Sequence, residues 1–128
     1  MRAGHITRIK QEKMEQLNKI ELRGTVGIVR IKDYEGRQMA RFSLATNFAY
    51  FDRNNEGIIE TSWHNVIAWE GKEMPDLKKI EKGATVYVCG RLRIQKYSAQ
   101  DGSEKFSYDV LANKVVIEKE KAEIQFGS

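Results

Sequence analysis

A chain of 128 residues, 41% hydrophobic and 31% Asp, Glu, Lys and Arg, has enough apolar material for one ordinary core and too little for several domains. Its formal charge of +4 and sequence pI near 9.2 suit an acidic partner without choosing between nucleic acid and a membrane surface. No apolar run is long enough to span a bilayer, the first residues hold no signal-peptide stretch, and the lone Cys89 cannot form an intramolecular disulfide, so a cytoplasmic setting is expected.

Residues 19–29 alternate, with Ile20, Leu22, Val26 and Ile28 on one side and Lys19, Glu21, Arg23 and Thr25 on the other. This predicts a half-buried strand. "DYEGR" (33–37) supplies a turn, and "QMARFSLATNFAY" resumes the alternation, with Phe42 and Leu44 opposed to Arg41, Ser43 and Asn47. After the polar loop "FDRNNEG" comes "TSWHNVIAW" (61–69), whose even spacing puts Trp63, Asn65, Ile67 and Trp69 on one side of a strand. That side is either core or a flat aromatic platform.

"KEMPDLKKIEKG" (72–83) is the best helix candidate, with Pro75 in its first turn, Leu77 and Ile80 three apart and Gly83 at its exit. The segment 84–118 reads as a long hairpin turning at "QDGS". In its first arm Val86, Val88, Leu92 and Ile94 share one parity, which leaves Arg91, Arg93, Gln95 and Tyr97 on a face that core packing does not explain.

Catalysis finds no support. His5, His64 and Cys89 have no metal-ligand spacing, no glycine-rich phosphate loop precedes a helix, and no isolated carboxylate pair stands out. No catalytic residue, metal or cofactor is therefore expected. Five strands with one short helix between the third and fourth give the element order of an all-β, five-stranded Greek-key OB-fold barrel, whose outer face binds oligonucleotides or oligosaccharides.

The stretches "NKIELRGTVG", "ARFSLAT", "TSWHNVIAW", "KGATVYVCGRLR" and "YDVLANKVVI" go further. In order and spacing, over about residues 18–117, the sequence resembles the bacterial single-stranded DNA-binding protein (SSB) family. The resemblance implies base stacking at Tyr50, Trp63, Trp69 and Tyr97, with tryptophan frequent in the family where Tyr50 and Tyr97 stand and phenylalanine where Trp69 stands. Neighbouring Phe48 and Phe51 leave the stacking residue near Tyr50 open. Phosphates running between rings need cations, for which Lys19, Arg23, Arg41, Lys72, Arg91, Arg93, Lys96 and Lys105 are candidates, Arg23, Arg91 and Arg93 foremost because they sit on strand faces.

By the same resemblance, His64 falls at a subunit interface of a homotetramer that protects single strands in replication, recombination and repair in a bacterial, nucleoid-associated cytoplasm. The other readings are a dimeric replication-restart accessory protein and an RNA- or carbohydrate-binding OB module. Residues 1–17 are expected to form an N-terminal extension, 18–118 the binding domain and 119–128 a short extension without the family's acidic tip. "MEQLNKIEL" resembles a family N-terminus, so residues 1–13 read as an added leader or, alternatively, a basic arm on DNA. Tip-dependent enzyme partners are expected to be weak or absent.

Overall fold

The computed structural model describes residues 15–120; the expectations for residues 1–13 and for the last residues of the chain lie outside that range. Five strands form a closed barrel in the order β1-β2-β3-β5-β4: β1 Ile20–Tyr34, β2 Arg37–Phe51, β3 Gly57–Trp69, β4 Thr85–Ser98 and β5 Glu104–Lys119. Neighbours are antiparallel except β3 and β5, which run parallel from Asn65↔Asp109 to Ala68↔Ala112. This parallel pair closes the barrel and confirms the OB-fold expectation.

The alternation in the sequence becomes an inside and an outside. Ala40, Phe42 and Leu44 of β2, Val66 and Ala68 of β3, Val86 and Val88 of β4, and Val110 and Val115 of β5 fill the interior. β1 and β2 are joined through Glu35 and Gly36, at φ 52° and 82°. Two consecutive left-handed residues give a turn whose twist matches that of the strands.

Three expectations need correction. Between Val26↔Leu44 and Val29↔Phe42 the first strand carries one residue more than its partner, a bulge that reverses its parity. Val29 therefore packs against the core, while Ile28, expected inside, is 65% exposed. Val26 finds its backbone partners outside the β1–β2 ladder, donating to the Ala84 carbonyl at 2.9 Å and accepting from Gly83 N at 2.8 Å.

That connection also explains the second correction. The helix expected over 72–83 shrinks to a 3-10 turn, Leu77–Lys79, capped by the Asp76 side chain accepting from Lys78 N. Leu77 and Ile80 are both buried, but Ile80 has already become extended, at ψ 100°, so that Gly83 and Ala84 can reach back to Val26. Thirdly, Leu92 and Ile94 keep the core parity yet are 37% and 55% exposed. β4 loses its β1 partner after Ile20↔Gly90, which leaves Leu92 at the rim of the barrel, and β3 pairs with β5 only between Asp109 and Ala112, so the β4–β5 hairpin beyond Arg93↔Asp109, with Ile94, projects as a two-stranded arm with no interior to cover.

Candidate nucleic-acid interface

Outward parity on β2 and β3 sets Met39 beside Trp69, Arg41 beside Ile67, Ser43 beside Asn65 and Ala45 beside Trp63. Of the two alternatives for the side of β3 that carries Trp63, Asn65, Ile67 and Trp69, the structure gives an outer face: Val66 and Ala68 of the opposite parity face the core. On the far side of β3 the outer face continues through Asp109 and Leu111 of β5 to Arg93 and Arg91 of β4. The result is a groove of about 420 Å3 lined by Tyr34, Met39, Arg41, Ile67, Trp69, Arg91, Arg93, Leu111 and Ala112.

Trp63 is 64% exposed and lies across the strands toward β1, where a Cβ built on Gly27 would come within 2.8 Å of the indole. Glycine at that position lets the ring lie flat. Trp69 is only half-exposed, tilted against Tyr34 with ring centroids 5.6 Å apart, and the Arg37 guanidinium sits 5.0 Å from its centroid. A cation over an indole face is favourable, so one side of Trp69 already has a partner within the chain.

Tyr97, 50% exposed, shares the parity of Arg91 and Arg93 but stands out on the β4–β5 arm. Tyr50 is placed differently. It pairs with Ile58 on the same parity as Phe42 and Leu44, with Phe48 next to it at a centroid distance of 6.1 Å. On this ribbon Tyr50 and Trp63 therefore project from opposite faces. One copy of the chain does not align all four rings on one surface.

The cations divide likewise. Arg41, Arg91 and Arg93 enter the groove. Lys72 lies by the 3-10 turn, lining a separate cleft with Lys79 and Lys114. Lys105 is across from Tyr97 on the arm, and Lys96 is held there by Glu104 at 2.8 Å.

Lys19 and Arg23 belong to an exposed cluster elsewhere on the outer surface, where β1 meets β4 and the end of β5. Arg23 donates to Glu118 and lies over the Tyr87 ring, and that carboxylate raises the Arg23 pKa. The Tyr87 hydroxyl donates to Glu21 at 2.6 Å; this bond pushes Tyr87 up to about 12 and holds Glu21 below the usual carboxylate range, helped by Lys19. Arg23 therefore does not join Arg91 and Arg93. His64 is half-buried on the inward parity of β3, with Nε2 2.9 Å from the Thr46 hydroxyl.

Sequence reasoning missed Arg30, Lys32 and Tyr34, which form a polar flank with Met39 and Arg41, and Arg37 above Trp69. The only signal was Gly27, where the bulge turns these even-numbered residues of β1 outward. Among the described residues there is no group of three or more His, Cys, Asp or Glu able to hold a metal ion, and no helix long and apolar enough to cross a membrane.

This closed barrel, with rings and arginines gathered on its outer strands, defines an OB-fold binding module. Residues 17–117 match the family model for the single-strand binding protein family, and the chain belongs to that family. It is 34% identical over 105 residues to the single-stranded DNA-binding protein of Neisseria meningitidis serogroup A, covering 77% of this chain and 58% of that protein. It is 37% identical over 101 residues to the namesake from Xanthomonas axonopodis pv. citri, covering 77% and 56%. The chain thus spans little more than half the length of these curated relatives.

Among solved structures, Plasmodium falciparum SSB in complex with ssDNA superposes with a TM-score of 0.67 at 32% identity, over 84% of this chain and 98% of that one. A deletion mutant of the single-stranded DNA-binding protein from Thermus aquaticus gives 0.64 at 23% identity, over 80% and 51%, and shares the fold.

Proposed function

We propose that this protein binds single-stranded DNA with little sequence preference, stacking bases on exposed rings and holding phosphates with cations, and so protects the strand during replication, recombination or repair. The observation that carries this reading is the outer-face groove, where Trp69, Arg41, Arg91 and Arg93 converge with Trp63 exposed on the same face of β3. Every base offers a π face, so rings bind single strands whatever the sequence, whereas a duplex hides those faces. Family membership and the likeness to a structure solved with ssDNA support the same conclusion.

Trp63, Trp69, Tyr97 and Tyr50 are the proposed stacking positions, and Arg41, Arg91 and Arg93 give the groove its charge. Lys96 and Lys105 extend the cationic path along the arm, and Lys72 stands apart in its own cleft. Titration with oligo-dT is expected to quench tryptophan fluorescence, with affinity falling as salt rises through counterion release. A matched duplex should bind far more weakly. Equal affinity for the two, or saturation by oligo-dT without quenching, would refute stacking.

We further propose assembly as a homotetramer in a bacterial cytoplasm, in association with the nucleoid. The ring geometry supports more than one copy: Tyr50 and Trp63 project from opposite faces of the β2–β3 ribbon, so a strand that stacks on both has to pass round that ribbon or between copies. One barrel covers a site on the order of 4–16 nucleotides, and several together wrap a longer strand. Sedimentation equilibrium at micromolar concentration is expected to show the tetramer; a monomer throughout would count against it.

A further inference from the structure

At the floor of the groove, Arg93 differs from the other two arginines there. Asp109, its direct neighbour in the β4–β5 register, is only 4% exposed, and the Asp109 Oδ2 lies 3.6 Å from Arg93 Nη2. Arg41 and Arg91 are exposed, and neither forms an ion pair among the described residues. Arg93 Nε is buried and has no hydrogen-bond partner. A guanidinium carries five donors in a rigid plane, and a buried donor without an acceptor is costly. The groove therefore holds one arginine whose charge is already balanced, with its Nε edge turned inward and part of its head group left open to the groove.

We propose that Arg93 contacts a base while Arg41 and Arg91 take the phosphates, and that Asp109 is the positioning residue that holds the Arg93 head group by charge and cancels that charge. This rests on the single-stranded DNA reading above. A phosphate needs net positive charge opposite it and releases a counterion when it gains one. The Arg93–Asp109 pair is neutral as a unit and has little net charge to offer. What it does offer is the partly exposed guanidinium, with a flat face on which a base can stack and terminal N–H groups for a base acceptor. Asp109 has a second cross-strand neighbour, Asn65, so the carboxylate is flanked on both sides and its position is set by the parallel β3–β5 pairing.

The salt dependence of oligo-dT binding separates a base contact from a phosphate contact, because each phosphate neutralised on a single strand adds about 0.7 to the slope of log K against log salt. Asp109→Asn releases the Arg93 charge and is expected to steepen the slope by about 0.7. The double variant Arg93→Ala/Asp109→Asn keeps the site neutral; its slope should equal that of the unaltered protein while affinity falls roughly tenfold, as for loss of a hydrogen bond from a charged group.

Arg41→Ala and Arg91→Ala serve as controls, each flattening the slope by about 0.7. If the double variant also flattens it, Arg93 is a phosphate contact and the proposal is wrong. If both Asp109 variants match the unaltered protein in affinity and slope, the pair is scaffold only and the proposal fails equally. Should Asp109→Asn alone fail to fold, the double variant still decides through its slope. Absence of oligo-dT binding by the unaltered protein would instead defeat the single-stranded DNA reading itself, an outcome distinct from either.

Discussion

Trp63→Ala is expected to weaken binding to oligo-dT by about 1–3 kcal/mol per stacked base, a tenfold loss for each 1.4 kcal/mol, and to remove most of the fluorescence quenching. Folding should hardly change: at 64% exposure the indole contributes little to the core, and surface replacements usually cost within about 0.5 kcal/mol. Trp69→Ala should behave differently. Trp69 is half-buried, pairs across the sheet with the buried Met39, and packs with Tyr34 and Arg37. Its loss should lower both affinity and the thermal midpoint, because one ring serves the groove wall as well as the ligand. Circular dichroism melts beside fluorescence titrations separate the two effects. If Trp63→Ala unfolded the barrel while Trp69→Ala left it intact, the assignment of the two indoles would be reversed.

What could be read in advance was whatever follows a period of two over an unbroken strand. Phe42 and Leu44 against Arg41 and Ser43, and Val66 and Ala68 against Trp63 and Trp69, are sorted in the structure as their spacing requires. Alternation fails where the count changes. One extra residue after Val26 inverts β1, so Ile28 leaves the core and Arg30, Lys32 and Tyr34 arrive at the outer face, with Gly27 alone to mark the change. Alternation also says nothing of how far the barrel reaches. Leu92 and Ile94 look like core on the same evidence as Val86 and Val88, yet β4 has left β1 behind at Gly90 before Leu92, and β3 no longer pairs with β5 by Ile94.

Partnerships across strands were the least accessible. Arg23 was grouped with Arg91 and Arg93 because all three sit on strand faces. Its partners Glu118 and Tyr87 come from β5 and β4, which makes that region an ion-pair and hydrogen-bond cluster apart from the groove. The buried Asp109 beneath Arg93 was equally invisible: in sequence the two are separated by the whole hairpin turn, and only the β4–β5 register makes them neighbours. The family resemblance named ring positions, and the register then showed that Tyr50 and Trp63 stand on opposite faces of their ribbon.

Gly90→Ala is expected to damage folding and binding together. Gly90 is buried at the point where β4 passes from the barrel wall into the groove, immediately before Arg91, and the β4–β5 ladder shifts register there, from Cys89↔Lys114 to Gly90↔Ala112. A Cβ at this position would come within 2.1 Å of the Leu111 carbonyl oxygen and 2.9 Å of the Ala112 Cα. Both obstacles are backbone, so no rotamer change relieves them and the two strands must separate locally. Overpacking of this kind costs about 1–3 kcal/mol, and the rigidity of the neighbours places Gly90→Ala at the upper end. The strands forced apart are the same ones that pair Arg91 with Leu111 and Arg93 with Asp109, so the groove arginines should lose their setting along with the ladder. Gly36→Ala is the appropriate comparison: no atom lies within 4 Å of its Cβ, and its cost comes from the left-handed φ of 82° at a turn. Urea unfolding and oligo-dT titration of both variants should show stability lost in each, with affinity of the folded protein lost only in Gly90→Ala. Unchanged affinity in a folded Gly90→Ala protein would mean that the groove does not depend on the register of β4 against β5.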